Sequence, residues 1–261
     1  MPDLPRHITG RAPAPVGGVV LLFALFSTPA LAADLPPPFQ ATLEVLRNDK
    51  VIGEATFAFT TDGEDWVLTS RSEGTKGVAK FIGFEENSES HGDWQNGGPR
   101  PLGFRQTYQA SFVKRETTAD FDWEAGVVDS VHKDGENRLE LEPGVLDPAS
   151  IGLSIRAGLA AGKRAWDLLI VDEDEIESQT YRAAGEEALN TPIGCVVAER
   201  VDRIRGPQST RYTQTWYARD LGWVPVQVAH GKTDGDRMET RLKSLALDGE
   251  PVTGLGPCPD G

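Results

Sequence analysis

From Phe39 onward, apolar and polar residues alternate in short runs. Phe39, Ala41, Leu43 and Val45 alternate with Gln40, Thr42 and Glu44, and Ala55, Phe57 and Phe59 alternate with Glu54, Thr56 and Thr60. A period of two turns one side of each run inward and the other to water, the pattern of an antiparallel sheet. Asn48-Asp49-Lys50, Asp62-Gly63, Asp134-Gly135 and Asp234-Gly235 fall between such runs, where hairpins need residues that tolerate a left-handed backbone. The alternation continues through Leu102, Phe104 and Tyr108; Ala119, Phe121 and Trp123; Leu139 and Leu141; Trp166, Leu168 and Ile170; Cys195 and Val197; Tyr212 and Trp216; Val224, Val226 and Val228; Met238 and Leu242. At this spacing, roughly ten to twelve strands are expected and the class is all-β. No fixed-period repeat occurs.

One longer helix interrupts the strands. Asp147 suits an N-cap and Pro148 the first helical position. Ile151, Ile155 and Leu159 then recur at four-residue steps, and Gly162 supplies a stop, so a helix over 147–161 is predicted. A single helical turn over 78–82 is predicted between Gly77 and Gly83.

The first 32 residues follow a different grammar. Arg6 and Arg11 precede an apolar run from Val16 to Phe26, followed by Ala30-Leu31-Ala32. A positive flank, a short apolar core and an A-x-A site mark a secretory signal peptide, with cleavage expected after Ala32. The run is too short for a spanning helix, which needs about 20 apolar residues, and no later stretch would anchor the exported chain in a membrane. The chain therefore divides into a signal peptide at 1–32, one antiparallel β domain at 33–248, and a Gly/Pro-rich tail at 249–261. Residues 1–32 hold Arg6, Arg11 and Asp3, so their removal takes the net charge from −14 to −15. That balance speaks against nucleic acid as a partner and against docking on anionic head groups. The expected address is the periplasm. In an oxidising compartment the two cysteines, Cys195 and Cys258, are candidates for a disulfide that pins the tail to the sheet, the alternative being two free thiols.

Signatures of catalysis are largely missing. No H-E-x-x-H, G-x-S-x-G or P-loop pattern occurs. His91, His132 and His230 sit beside turns or strand ends among polar neighbours and read as exposed turn residues more readily than as members of a hydrolytic pair. Asp172-Glu173-Asp174-Glu175, with Glu177, could in principle hold calcium, but lacks EF-hand spacing and reads as a solvated hairpin loop. Gly74-Thr75-Lys76-Gly77 reads as a bend. No catalytic residue, metal ligand or cofactor is therefore predicted. Among the aromatics, Trp66, Phe104, Tyr108, Trp123 and Trp216 are the candidates for lining a ligand cavity; Trp166 and Trp223 share the pattern, and filling of the core is the competing reading for most of the set.

Several segments, taken in order, resemble the bacterial exported family of domain of unknown function 3108. They are the opening hairpin from Phe39 to Gly53, Gly74-Thr75-Lys76-Gly77 with the apolar segment after it, Pro101-Leu102 before an aromatic-rich strand, and Asp147-Pro148 with Ser150 and Arg156. The best match runs Thr215-Trp216-Tyr217-Ala218-Arg219-Asp220-Leu221-Gly222-Trp223-Val224-Pro225-Val226. The resemblance implies a fold similar to the periplasmic lipoprotein carriers, a strongly curved antiparallel sheet or open β-barrel covered by helices. It brings no catalytic residues. The expected function is non-enzymatic binding of an apolar or amphipathic ligand, such as lipid, or of an envelope component. The alternatives are a structural or interaction protein of the envelope working through a sheet edge, and, less favoured, a hydrolase using one of the three histidines.

Overall fold

The alternation becomes one continuous sheet in the computed structural model, which describes residues 35–258. The first half contributes β1 (Phe39–Arg47), β2 (Lys50–Asp62), β3 (Asp65–Gly74), β4 (Glu85–Gln95), β5 (Gly98–Ala110), β6 (Val113–Asp122), β7 (Val127–His132) and β8 (Gly135–Glu140). After β9 (Val145–Leu146), the second half contributes β10 (Ala165–Asp172), β11 (Glu175–Thr191), β12 (Gly194–Ile204), β13 (Arg211–Ala218), β14 (Val224–Lys232), β15 (Arg237–Leu247) and β16 (Glu250–Pro251). Two helices interrupt them, α1 (Gly77–Phe81) and α2 (Ile151–Ala160). The expected signal peptide at 1–32 lies outside the described residues.

The order across the sheet is β8-β7-β6-β5-β4-β3-β2-β1-β15-β14-β13-β12-β11-β10-β9, with β16 added to β15. Each half is thus a meander of hairpins, and β1 joins them by pairing with β15. Every pairing is antiparallel except the short one between β9 and β10. Bulges bend the ladder. In β1 the shift between Val45 and Leu46 leaves both of these consecutive residues buried, which strict alternation forbids. In β11 the shift between Ala183 and Gly185 leaves the Gly185 N–H to donate to Glu199 Oε1 at 2.6 Å. Buried Glu199 is held in turn by Arg164 at 2.6 and 3.0 Å.

The sixteen strands among the described residues exceed the expected count for two physical reasons. β4 begins Glu-Glu-Asn-Ser-Glu-Ser and carries no apolar alternation, because hydrogen bonds to β3 and β5 on both sides hold it. β9 and β16 are two residues each, too short to have a period. The long helix starts one turn later than predicted. Asp147 caps the turn that leads into it, with Oδ1 accepting from the N–H of Ala149 at 2.8 Å and of Ser150 at 3.1 Å.

The sheet curls but does not close through backbone hydrogen bonds. Its two ends, β8–β7 and β9–β10, are brought together by side chains. Phe104, Ala119, Phe121 and Val128 from one end pack with Val145 and Val171 from the other. Ser130 Oγ donates to the Glu173 carbonyl at 2.7 Å, and Ser90 Oγ donates to Asp147 Oδ2 at 2.6 Å. The chain between β8 and α2 crosses this seam, and α2 lies over the concave side. There Ile155 and Leu159 pack on Trp166, Tyr181, Val201 and Tyr217, and Leu153 joins the main core with Phe39, Phe59 and Trp66.

Candidate functional site

The apolar stripe of α2 does not fill the concavity. A hollow of about 290 Å³ remains, open on one side, between the helix, the strands β1–β3 and the strands β11–β14. Ile151, Ile155 and Arg156 come from the helix, Phe39 and Phe57 from β1 and β2, and Tyr181, Val201, Tyr217 and Val228 from the second half of the sheet. Its wall is mostly apolar. Two other concavities, of about 590 and 460 Å³, are polar grooves on the sheet lined by such residues as Arg71, Glu89, Arg105 and Glu116.

The unusual member of the apolar wall is Arg156, only 1% exposed. Nε and Nη2 donate to the Gly222 carbonyl at 3.2 and 2.9 Å, and Nη2 also donates to the Pro37 carbonyl at 3.2 Å. The guanidinium lies over the rings of Phe39 and Phe59, 4.9 and 5.4 Å from their centroids. Nη1 is buried and has no hydrogen-bond partner. No carboxylate among the described residues forms an ion pair with this cation. Burial consequently lowers its pKa to about 10, opposed by its tyrosine neighbour Tyr217. Burial likewise pushes the Tyr217 and Tyr181 phenols up, so both stay neutral hydroxyls over the physiological range. A buried, unpaired cation is costly, and this residue is also part of the wall of the hollow.

The loop that holds Arg156 is built for the purpose. After β13 a short 3-10 turn, Arg219–Leu221, ends at Gly222 with φ 66°. A residue without Cβ takes that conformation without strain, and the turn aims the Gly222 carbonyl at the helix. The segment is the Trp-Tyr-Ala-Arg-Asp-Leu-Gly-Trp stretch that carries the strongest family signal in the sequence. The family described as Protein of unknown function (DUF3108) matches residues 40–241 of this chain. The chain belongs to the DUF3108 family. The DUF3108 match takes in α2, Arg156 and Gly222 and ends before the tail.

No curated protein matches this chain. Among solved structures, a β-barrel-like protein of domain of unknown function DUF1849 from Brucella abortus is similar, with a TM-score of 0.55 at 12% identity, covering 81% of this chain and 98% of its own. A candidate lipoprotein from Parabacteroides distasonis shows 11% identity and a TM-score of 0.37, over 81% of this chain and 96% of its own. At such identity the DUF1849 likeness establishes the barrel-like fold of this DUF3108 chain and nothing further.

The five aromatic candidates stand elsewhere. Trp66 is buried in the main core and donates to the Asp93 carbonyl at 2.8 Å. Trp216 is in the same core and donates to Glu187 Oε2 at 2.8 Å. Phe104 belongs to the seam, as does Trp123, which stacks on Phe121 and donates to the Pro101 carbonyl at 2.7 Å. Tyr108 lies edge-on to Phe84. None of the five lines the hollow under α2. Of the histidines, His91 and His230 are exposed, but His132 is buried, against the sequence expectation. It accepts from the Asp134 N–H at 3.3 Å and pairs with Asn137 at 3.0 Å, a hairpin contact that covers the ring. No hydrogen bond among the described residues joins any of the three to a serine or cysteine. Glu173 and Asp174 form the tip of the β10–β11 hairpin, and Cys195 is bonded to Cys258. In the sequence, Arg156 belongs to a family motif and carries no evident role. The available signal was that it is the only charge in the ten residues of α2, beside the stripe of Ile151, Ile155 and Leu159.

Proposed function

We propose that the chain is an exported carrier that holds the apolar part of an amphipathic acid in the hollow beneath α2, with the acidic group directed to Arg156. The observation that carries this reading is the buried guanidinium, unpaired at Nη1, the one charged side chain on a mostly apolar wall that also holds Thr213, Thr215 and two tyrosines. An anionic head group would supply the countercharge that the protein does not. The hollow, at about 290 Å³, lies just below the ordinary range for small-molecule sites, about 300–1,000 Å³. That size suits a single hydrocarbon chain. The disulfide supports an oxidising compartment and so export. The free edge strand β8 carries Glu136, Arg138 and Glu140, charges that discourage strand addition and weigh against a sheet-edge interaction protein.

The test is native mass spectrometry of the gently purified protein, followed by solvent extraction and titration with a fluorescent fatty acid. Binding of one long-chain acid, weakened at least tenfold in Arg156→Met and retained poorly by the corresponding alcohol, is expected. A wild-type protein that takes up neither acid nor alcohol would end the carrier reading.

A further inference from the structure

The protein is strongly acidic, with a net charge of −14, yet the rim formed by α1 and the β5–β6 hairpin tip has the opposite character. α1 bridges β3 to β4 and is seated tightly on the sheet. A Cβ on Gly74 would lie 2.8 Å from the Ala79 Cβ, so only glycine permits this approach. The N–H groups of Thr75 and Lys76 donate to the Ile52 carbonyl at 3.0 and 3.1 Å, and that of Phe84 to the Ala79 carbonyl at 3.0 Å. The β5–β6 hairpin tip stands beside α1, because the Ser111 N–H donates to the Ile82 carbonyl at 2.6 Å. Val78, Phe81 and Phe112 project from this joint platform at 74, 90 and 102% exposure, the three most exposed large apolar residues described, with Val113 beside them. Lys76, Lys80, Lys114 and Arg115 surround them, all exposed. None of these four cations enters an ion pair among the described residues. The neighbouring carboxylates Glu73 and Glu85 are near Arg71, and Glu116 is paired with Arg105.

We propose that this platform is a docking surface for the anionic face of a lipid bilayer. Fully exposed phenylalanines on a fixed scaffold have no use in water, and they partition into the boundary between head groups and acyl chains. The four free cations supply the complementary charge for anionic head groups, against the sign of the rest of the molecule. Net charge conceals the feature, since the patch is assembled from two segments about thirty residues apart. The surface is distinct from the hollow beneath α2 and does not depend on what that hollow binds.

The experiment uses the full chain with a single environment-sensitive fluorophore at Phe112→Cys, and a control with the label at Asn96→Cys, in the turn at the opposite end of β5. A local label is needed because the stretch Val16–Phe26 is itself apolar. With phosphatidylglycerol vesicles, emission from position 112 shifts to the blue and reverses in high salt, while position 96 and phosphatidylcholine vesicles give no shift. Phe81→Ser lowers partitioning by at least tenfold, and K76E/K80E does the same, with unchanged far-ultraviolet circular dichroism. A label at 112 that stays aqueous on phosphatidylglycerol overturns the proposal. So does an equal response at position 96, or sedimentation showing that the patch joins two copies of the chain and that Phe81→Ser separates them.

Discussion

Arg156 and Gly222 are joined by two hydrogen bonds onto one carbonyl oxygen, at 2.9 Å from Nη2 and 3.2 Å from Nε. Through them the helix that covers the concavity is tied to the turn between β13 and β14. Arg156→Ala removes both bonds, the bond to Pro37 and the contact with two aromatic rings, and leaves a void. We expect a loss of about 2–4 kcal/mol in urea unfolding. Arg156→Lys keeps the charge but not the planar fork, and should recover less than half of that loss.

Asp147 is fully buried at the seam, accepting from Ser90, Ala149 and Ser150. Burial raises its pKa, and the hydrogen bonds only partly oppose this. The native state therefore holds the proton more tightly than the unfolded chain. Relative to Asp147→Asn, the wild type should lose stability as pH rises from the ordinary aspartate range toward the raised value, by at most about 1.4 kcal/mol per pH unit. Urea midpoints across pH 4–8 measure the slope; one of opposite sign would mean that the hydrogen bonds dominate. Asp147→Ala should cost about 2–4 kcal/mol, since it strands the capped N–H groups.

Gly158 lies within α2, in its last turn, and alanine in place of glycine ordinarily stabilises a helix by up to about 1 kcal/mol. Here a Cβ would come within 2.9 Å of Trp166 Cε2, and Trp166 is buried, so the ring can give way only by disturbing its neighbours. Gly158→Ala should destabilise by about 1–3 kcal/mol. The fluorescence of Trp166 should change with it, because the ring must shift.

The legibility of this chain follows from what each segment packs against. Strands with one wet face, such as β1 and β2, announce themselves by alternation. β4 does not, because its backbone pairs on both sides while its side chains are mostly polar. Within the helix, Ile151, Ile155 and Leu159 predict the buried stripe, but Arg156 is one residue off it and reads as a solvated charge. Only the fold brings Gly222, 66 residues later in the chain, to its guanidinium. The aromatic candidates are selected by size and period, which describe core filling as well as a ligand wall. Nothing local in the sequence says which inward residues face a gap.

Cys195 and Cys258 close a loop with a sequence separation of 63. The tail is also moored by the Leu255 N–H to the Ile193 carbonyl at 3.0 Å and the Cys195 N–H to the Gly256 carbonyl at 2.8 Å. Removing the bond in C195S/C258S should cost up to about 4 kcal/mol on loop-closure grounds, less to the extent that the tail frays alone. Urea unfolding with limited proteolysis separates the two: cleavage within 249–258 at low urea signals local release.

The seam between β7–β8 and β9–β10 has a mechanical meaning. A barrel closed by ladder hydrogen bonds has a girth fixed by strand number and stagger. This one is laced by a few hydroxyls and apolar side chains, so no ladder sets its girth. Parting those contacts would cost no strand pairing, as a split ring can be opened without being cut.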